Sequence, residues 1–177
     1  MTDASPQQNP PELGAESPSV FAVEARTVAP LLVGSMEAVA RSRLHTVSVT
    51  SVLAEVAELL SSAQISVVVV CNGAGSPLGT LTETVLIQRL GWGLSDFFTT
   101  LAGDVMTREF VVCAPEDLLS DVMTMMHQRG LIHVLLVNAQ GTLLGVVNAR
   151  DGLRVLLAAG NHQEALLRNY VMGVGYQ

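Results

Sequence analysis

The chain has 177 residues, room for one ordinary domain or for two small halves sharing a core. Hydrophobic residues make up 49% of it and aromatics only 4%, so any core is aliphatic, built from Val, Leu, Ala and Met. The net charge is −7 and every cation is Arg, which argues against a nucleic-acid partner, since a phosphate backbone needs a basic face; a small anion held by a helix end and one or two arginines remains open.

Residues 1–19, "MTDASPQQNPPELGAESPS", are rich in Pro, Gln, Ser and acid, and read as a disordered tail. They carry neither the basic n-region nor the apolar h-region of a signal peptide. No apolar run approaches the ~20 residues a membrane helix needs. Cys71 and Cys113 have no CxxC partner and no His at ligand spacing, as expected of reduced thiols. The expectation is a soluble, cytoplasmic protein with no membrane or nucleic-acid partner.

Along the chain, "HTVSV" (45–49) reads as a short strand, and Thr50-Ser51 supply helix-start chemistry. "SVLAEVAELLSS" follows, with Leu53, Val56, Leu59 and Leu60 on one helical stripe. "ISVVVV" (65–70) is an apolar run suited to a strand buried on both faces. After the turn "CNGAGS", a strand holding Gly79 leads into the helix "TETVLIQRL". The same order then returns: the strand "EFVVC" (109–113), the helix start Pro115-Glu116-Asp117, and Leu119, Val122, Met125 and Met126, each 66 positions after its counterpart. "IHVLLV" (132–137), the turn "NAQGT", a strand with Gly145 and the helix "ARDGLRVLL" complete it. Each copy reads β-α-β-β-α, too small to bury enough surface alone, so two copies packed sheet to sheet with pseudo-twofold symmetry are expected. The linker 91–104 holds Trp92, Phe97 and Phe98, expected to cover the seam between copies. The organisation is thus a tail (1–19), a first repeat with lead-in and linker (20–98), a second repeat (99–160), and a C-terminal helix and tail (161–177). In that last segment Leu166, Leu167, Tyr170 and Val171 share a helical face expected to dock on the module, on a second subunit or on a partner.

This α/β pattern resembles a tandem pair of cystathionine-β-synthase (CBS) domains, the Bateman module of regulatory proteins, over roughly residues 31–160. The resemblance rests on repeat length, element order and "VMTREFVVCAPEDLLSDVMTMMHQRGLIHVLLVNAQGTLLGVVNARDGL". The family carries Gly-x-x-Thr/Ser-x-x-Asp on its last strand and helix. Here Gly145, Asn148 and Asp151 fill those places in the second copy, Asn148 replacing the hydroxyl residue. In the first, Gly79 and Thr82 match but Val85 replaces the acid. The resemblance implies a stand-alone CBS-domain protein that binds an adenosyl ligand (AMP, ADP, ATP, NAD or S-adenosylmethionine) between its repeats and associates as a homodimer.

The residues supply a physical case of their own. A helix N-terminus offers free N–H groups to a phosphate. Asn148 stands at such a start, where its amide either caps the helix or donates to a phosphate. Asp151, three residues on, can accept from both hydroxyls of a ribose. The same spacing also reads as a near capping box that needs no ligand. Arg150 or Arg154 adds charge, unless Arg150 points to solvent. Val111, Val112, Ile132 and Val134, with Thr107 just ahead of the first strand, are candidates for an adenine slot. His133, the polar interruption of its strand, either approaches the ligand or is a satisfied structural histidine. A weaker second site would use Thr82, Ser66 and Ile65, without a diol acceptor.

"VMTMMHQ" places Val122, Met125 and Met126 on one face, with Met123 and His127 turned away from it, so core packing displaces a copper reading. His45, His127 and His162 lack a second ligand, and no metal is expected. No Gly-x-Ser-x-Gly elbow, Walker loop or G-x-G-x-x-G is present, nor a base–nucleophile pair. The expectation is a non-catalytic sensor that signals to an unidentified partner, with no obligatory cofactor. The alternative is a ligand-free dimerisation scaffold whose Asp151 only caps a helix.

Overall fold

The computed structural model describes residues 30–91 and 96–160. A 3-10 turn (Val33–Met36) runs into α1 (Glu37–Ser42), followed by β1 (Thr46–Ser48), α2 (Leu53–Ala63), β2 (Val67–Cys71), β3 (Pro77–Thr82) and α3 (Glu83–Gly91). The second half repeats the order with α4 (Ala102–Val105), β4 (Val112–Cys113), α5 (Leu119–Arg129), β5 (His133–Val137), β6 (Leu143–Asn148) and a helix α6 over 149–160. The expected tail 1–19, Trp92 and the helix expected in 161–177, with His162, lie outside the described residues.

Each half builds a three-stranded sheet, ordered β1-β2-β3 and β4-β5-β6. In each, the first pair is parallel across its helical crossover and the second is an antiparallel hairpin. The hairpins turn by the same chemistry. The Asn72 carboxamide oxygen accepts from Ala74 and Ser76 N–H, and that of Asn138 from Gln140 and Thr142. Gly75 and Gly141 supply the positive φ, at +80° and +77°.

β2 is apolar throughout because both its faces are covered. One face packs against the other sheet, where Val67, Val69 and Cys71 meet Leu135 and Val146, flanked by Leu44 and Phe110. The opposite face packs under helices: Leu53, Val56 and Leu60 join Val68, Val70 and Leu81 in one half, and Leu119, Val122 and Met126 join Val134, Leu136 and Val147 in the other. The sheet-to-sheet pair expected from the repeat is the observed architecture.

The lead-in segments cross over. Val33, Met36 and Ala40 belong to the core of the second half, whereas Ala102 and Met106 belong to that of the first. Val33 and Gly34 donate to Asp117 and Pro115 carbonyls, and Ala102 and Gly103 to those of Ser51 and Val49. Both crossover helices start under this exchange. Thr50-Ser51 and Pro115-Glu116-Asp117 do not cap them: the N-caps are Val52 and Leu118, with no side-chain hydrogen bond. The Leu53 N–H instead donates to the Thr100 carbonyl (3.0 Å) and that of Leu119 to Leu31 (2.9 Å), so the exchanged segments satisfy helix-end donors that side chains would otherwise serve.

Two further expectations are corrected. Phe97 packs on the first half's core, but Phe98 is 74% exposed and covers no seam. Met123 is not turned out: it packs against the second core, its sulfur beside Gly152 of α6.

The repeated glycines give the exchanged segments room. A Cβ on Gly145 would lie 2.5 Å from the Ala40 carbonyl carbon, and one on Gly79 would lie 2.7 Å from the Thr107 carbonyl oxygen. Both neighbours are backbone, so the segment itself must shift. Gly145→Ala and Gly79→Ala are each expected to destabilise the fold by ~1–3 kcal/mol, as overpacking does, measured by urea unfolding. Gly73→Ala, where nothing lies within 4 Å of the added carbon, serves as the near-neutral control.

Candidate functional site

The C-terminal ends of β6 and α1 meet at the start of α6. Asn148 ends β6, and its carboxamide oxygen accepts the Arg150 N–H at 2.8 Å, the capping geometry expected of it. This fixes the amide: its nitrogen faces His133 Nε2 at 3.2 Å and donates to it. Ser66 Oγ stands 3.0 Å from the same ring nitrogen and donates as well. Nε2 is therefore an acceptor and the imidazole is neutral with its proton on Nδ1. His133 is thus a hydrogen-bonded histidine joining the two halves, Ser66 from one and Asn148 from the other.

Asp151, one turn into α6, is 6% exposed and is the one buried charged residue among those described. It neither faces bulk water nor folds back on its own backbone. Arg43, the C-cap of α1, donates to it side-on, Nε to Oδ2 at 3.0 Å and Nη2 to Oδ1 at 3.4 Å. Arg154 Nη1 stands 3.7 Å from Oδ1, on a side chain that is 64% exposed. At the corresponding place in the first half, Val85 packs on the apolar core.

Beside this pair, at the junction of the halves, lies a cleft of ≈ 110 Å³. Arg43, His133, Asn148 and Val146 line one side, and Gln64, Ile65, Ser66, Val67 and Glu83 the other. Gln64 reaches its place through a left-handed helix end (φ 51°), taken by Gly130 in the second half. Asp151 does not line the cleft; Arg43 stands on it.

The structure thus draws His133 and Asn148 together with Ser66 and Ile65, which the sequence assigned to a separate second site. Thr82, whose backbone pairs with Val67, is half-buried beside them without lining the cleft. The remaining candidates lie apart. Val134 is sealed in the second core, and Ile132 (63%) and Val112 (49%) are exposed. Arg150 points to solvent. Thr107 does not accompany Asp151: it pairs by backbone with Thr80 of β3, because its segment crosses to the first half. The residue that reading the sequence missed is Arg43. Its signal is faint: Leu44, next to it, repeats as Phe110 at the same 66-residue offset, and both flank the inter-sheet core. Among the described residues no group of His, Cys, Asp and Glu is arranged to hold a metal, and no helix is long and apolar enough to cross a membrane.

Burial, and then the neighbouring Arg43 guanidinium, hold His133 below the ordinary imidazole value of 6.5. Above that value the ring is neutral whether the chain is folded or not. As the pH falls below it the unfolded chain takes the proton first, so the ring's contribution to stability is lost on acidification. Urea midpoints taken between about pH 7.5 and pH 5 should therefore drop further for the natural chain than for His133→Gln, and equal slopes would remove His133 from the account.

Comparison with known proteins gives a consistent picture. The CBS domain family model matches residues 36–91 and 102–158, well over half of the chain. An uncharacterized protein of Methanopyrus kandleri is 26% identical over 121 residues, which are 68% of this chain and 62% of that relative, so the chain spans less than two thirds of its length. Among solved structures, a CBS-domain protein from Agrobacterium tumefaciens superposes with TM-score 0.62 at 22% identity, covering 70% of this chain and 97% of that one. The protein CBSX2 in complex with AMP gives 0.61 at 20% identity over 73% and 98%, and a CBS-domain protein from Bacillus anthracis gives 0.63 at 17% over 72% and 94%. At these identities the structures speak for the fold, and the two matched stretches fall one on each repeat. The chain belongs to the CBS domain family, as a tandem pair of CBS domains.

Proposed function

We propose that this CBS pair is a non-catalytic regulatory module that binds an adenosyl ligand at the junction of its halves. Asp151 accepts from the ribose diol, and Arg43, which lines the cleft, faces the phosphate. The observation that carries the reading is Asp151 itself. Burying a carboxylate is costly, and this one is kept at a helix start beside an inter-repeat cleft, while the first copy has Val85. CBS pairs are regulatory modules, and the similar CBSX2 has been solved with AMP. For a nucleotide-sized ligand a micromolar Kd is expected, about −8 kcal/mol, which suits a gauge of cellular ligand level better than a permanently held cofactor. Signalling would proceed by a shift in how the halves or two subunits pack, to a partner protein in the cytoplasm.

A homodimer fits the surface. Ile87 on α3 and its counterpart Leu153 on α6 are 66% and 53% exposed, with Leu90 and Leu157 one turn further on also exposed, a repeated apolar strip available to a second copy. The scaffold reading has one observation in its favour, that Arg43 already satisfies Asp151 without any ligand.

Thermal unfolding with AMP, ADP, ATP, NAD and S-adenosylmethionine separates the two. At about a hundredfold excess over Kd, the cognate ligand should raise the melting point by ~5 °C or more. Asp151→Ala, which removes the diol acceptor, should weaken binding by about tenfold or more. No shift with any of the five establishes the scaffold. Light scattering should give the mass of a dimer for the natural chain and of a monomer for Ile87→Asp/Leu153→Asp; a dimer that survives both changes uses another surface.

A further inference from the structure

We infer that Arg43 makes the site selective for nucleotides over nucleosides, by a partner exchange in which the ligand's ribose takes Asp151 and its phosphate takes Arg43. The inference rests on the ribose-binding reading of Asp151 and adds to it the chemical class of the ligand.

Three observations lead to it. Asp151 is buried but does not line the cleft, because the Arg43 guanidinium lies against both carboxylate oxygens. Arg43 stands between those oxygens and the cleft, so a diol entering from the cleft meets the guanidinium first. The cleft is also too small as it stands: ≈ 110 Å³ admits a phosphate or part of a sugar, whereas sites for whole small ligands run to roughly 300–1,000 Å³. The one move that both uncovers the acid and enlarges the space is withdrawal of Arg43. Its side chain is 41% exposed, so it has somewhere to go.

The charge balance of that move selects the ligand. In the free protein Arg43 and Asp151 neutralise one another. A nucleoside offers Asp151 two hydroxyl donors but leaves Arg43 without an anion, in a cleft where His133 is neutral and Nε2 is already taken by Ser66 and Asn148. The acid that remains, Glu83, sits on the exposed start of α3 and is a poor substitute for a buried carboxylate. A nucleotide supplies both replacements at once, diol to Asp151 and phosphate to Arg43, and Arg–phosphate pairing is bidentate and charge-assisted. Glu83 opposes the phosphate, but from an exposed position where solvent screens it.

The test is titration calorimetry of the natural chain, Arg43→Gln and Asp151→Asn with AMP and with adenosine. The natural chain should prefer AMP by roughly tenfold or more, the worth of one charge-assisted contact. In Arg43→Gln the two affinities should converge to within about threefold, AMP weakening while adenosine tightens, since only the exposed Arg154 is left beside Asp151. Asp151→Asn should weaken both. A mutant-free measurement covers the case in which Arg43→Gln does not fold. Inorganic phosphate, by occupying Arg43, should tighten adenosine binding to the natural chain relative to chloride at equal ionic strength. An undiminished preference for AMP in Arg43→Gln, or adenosine binding unmoved or weakened by phosphate, overturns the exchange. Equal affinity of the natural chain for AMP and adenosine overturns it too, while leaving the ribose reading intact. If the natural chain binds neither, both fail together.

Discussion

The structure depends on a reciprocal exchange: neither half closes its own core. The segment ahead of the first repeat supplies Val33, Met36 and Ala40 to the second half, and the segment between the repeats returns Ala102 and Met106 to the first. The exchange also supplies backbone acceptors. The opening N–H groups of α2 and α5 are satisfied by carbonyls from the exchanged segments, so each crossover helix needs the other half's chain in place to finish its first turn. A unit of some sixty residues is marginal alone. Two units that complete each other, and also share the inter-sheet layer of Val67, Val69, Leu135 and Val146, fold as one.

The same crossing builds the candidate site. Because α1 belongs spatially to the second half, its C-cap residue reaches the start of α6, over a hundred positions away in sequence, and Arg43 meets Asp151 there. The site is thus made of three parts of the chain: the crossing segment gives the guanidinium, the second repeat the acid, the histidine and the helix start, and the first repeat Ser66 and the far wall. Arg43 caps α1, and α1 lies against β6 so closely that Gly145 has no room for a methyl group. The residue that holds Asp151 and the packing of the exchanged segment thus belong to one helix.

The architecture was legible because it is written in repeats. The 66-residue offset, the apolar runs at 65–70 and 132–137 and the paired glycines mark the order of the elements and most of their ends to within a residue or two, although β4 begins three residues later than "EFVVC" and α6 runs three residues past "ARDGLRVLL"; the buried strands and inward helix stripes lie where those patterns put them. Of the two roles open to Asn148, cap or phosphate donor, the cap is the local one and is the one its carboxamide oxygen takes. What depends on which half a segment joins was not legible. Thr107 was placed with Asp151 because it precedes the second repeat, yet it pairs with Thr80 of the first. The Ser and Asp before the crossover helices looked like caps, but backbone from the exchanged segment took that role. Arg43 went unnoticed for the same reason: nothing local to it points across to the second half.

That crossing also explains why the acid occurs once. The residue 66 positions after Arg43 is Glu109, on the segment that crosses to the first half between Thr107, paired with Thr80, and Phe110, packed in the inter-sheet layer. An aspartate at position 85 would thus lack, at the position equivalent to Arg43, the cation that makes burying Asp151 tolerable, since the exposed Glu109 stands there instead. Val85 on the apolar core avoids that cost. The two copies therefore differ by a matched pair of changes, guanidinium with carboxylate in one half and carboxylate with an apolar side chain in the other. The asymmetry between the halves thus rests on two positions, 109 on the crossing segment and 85 on α3 of the first half.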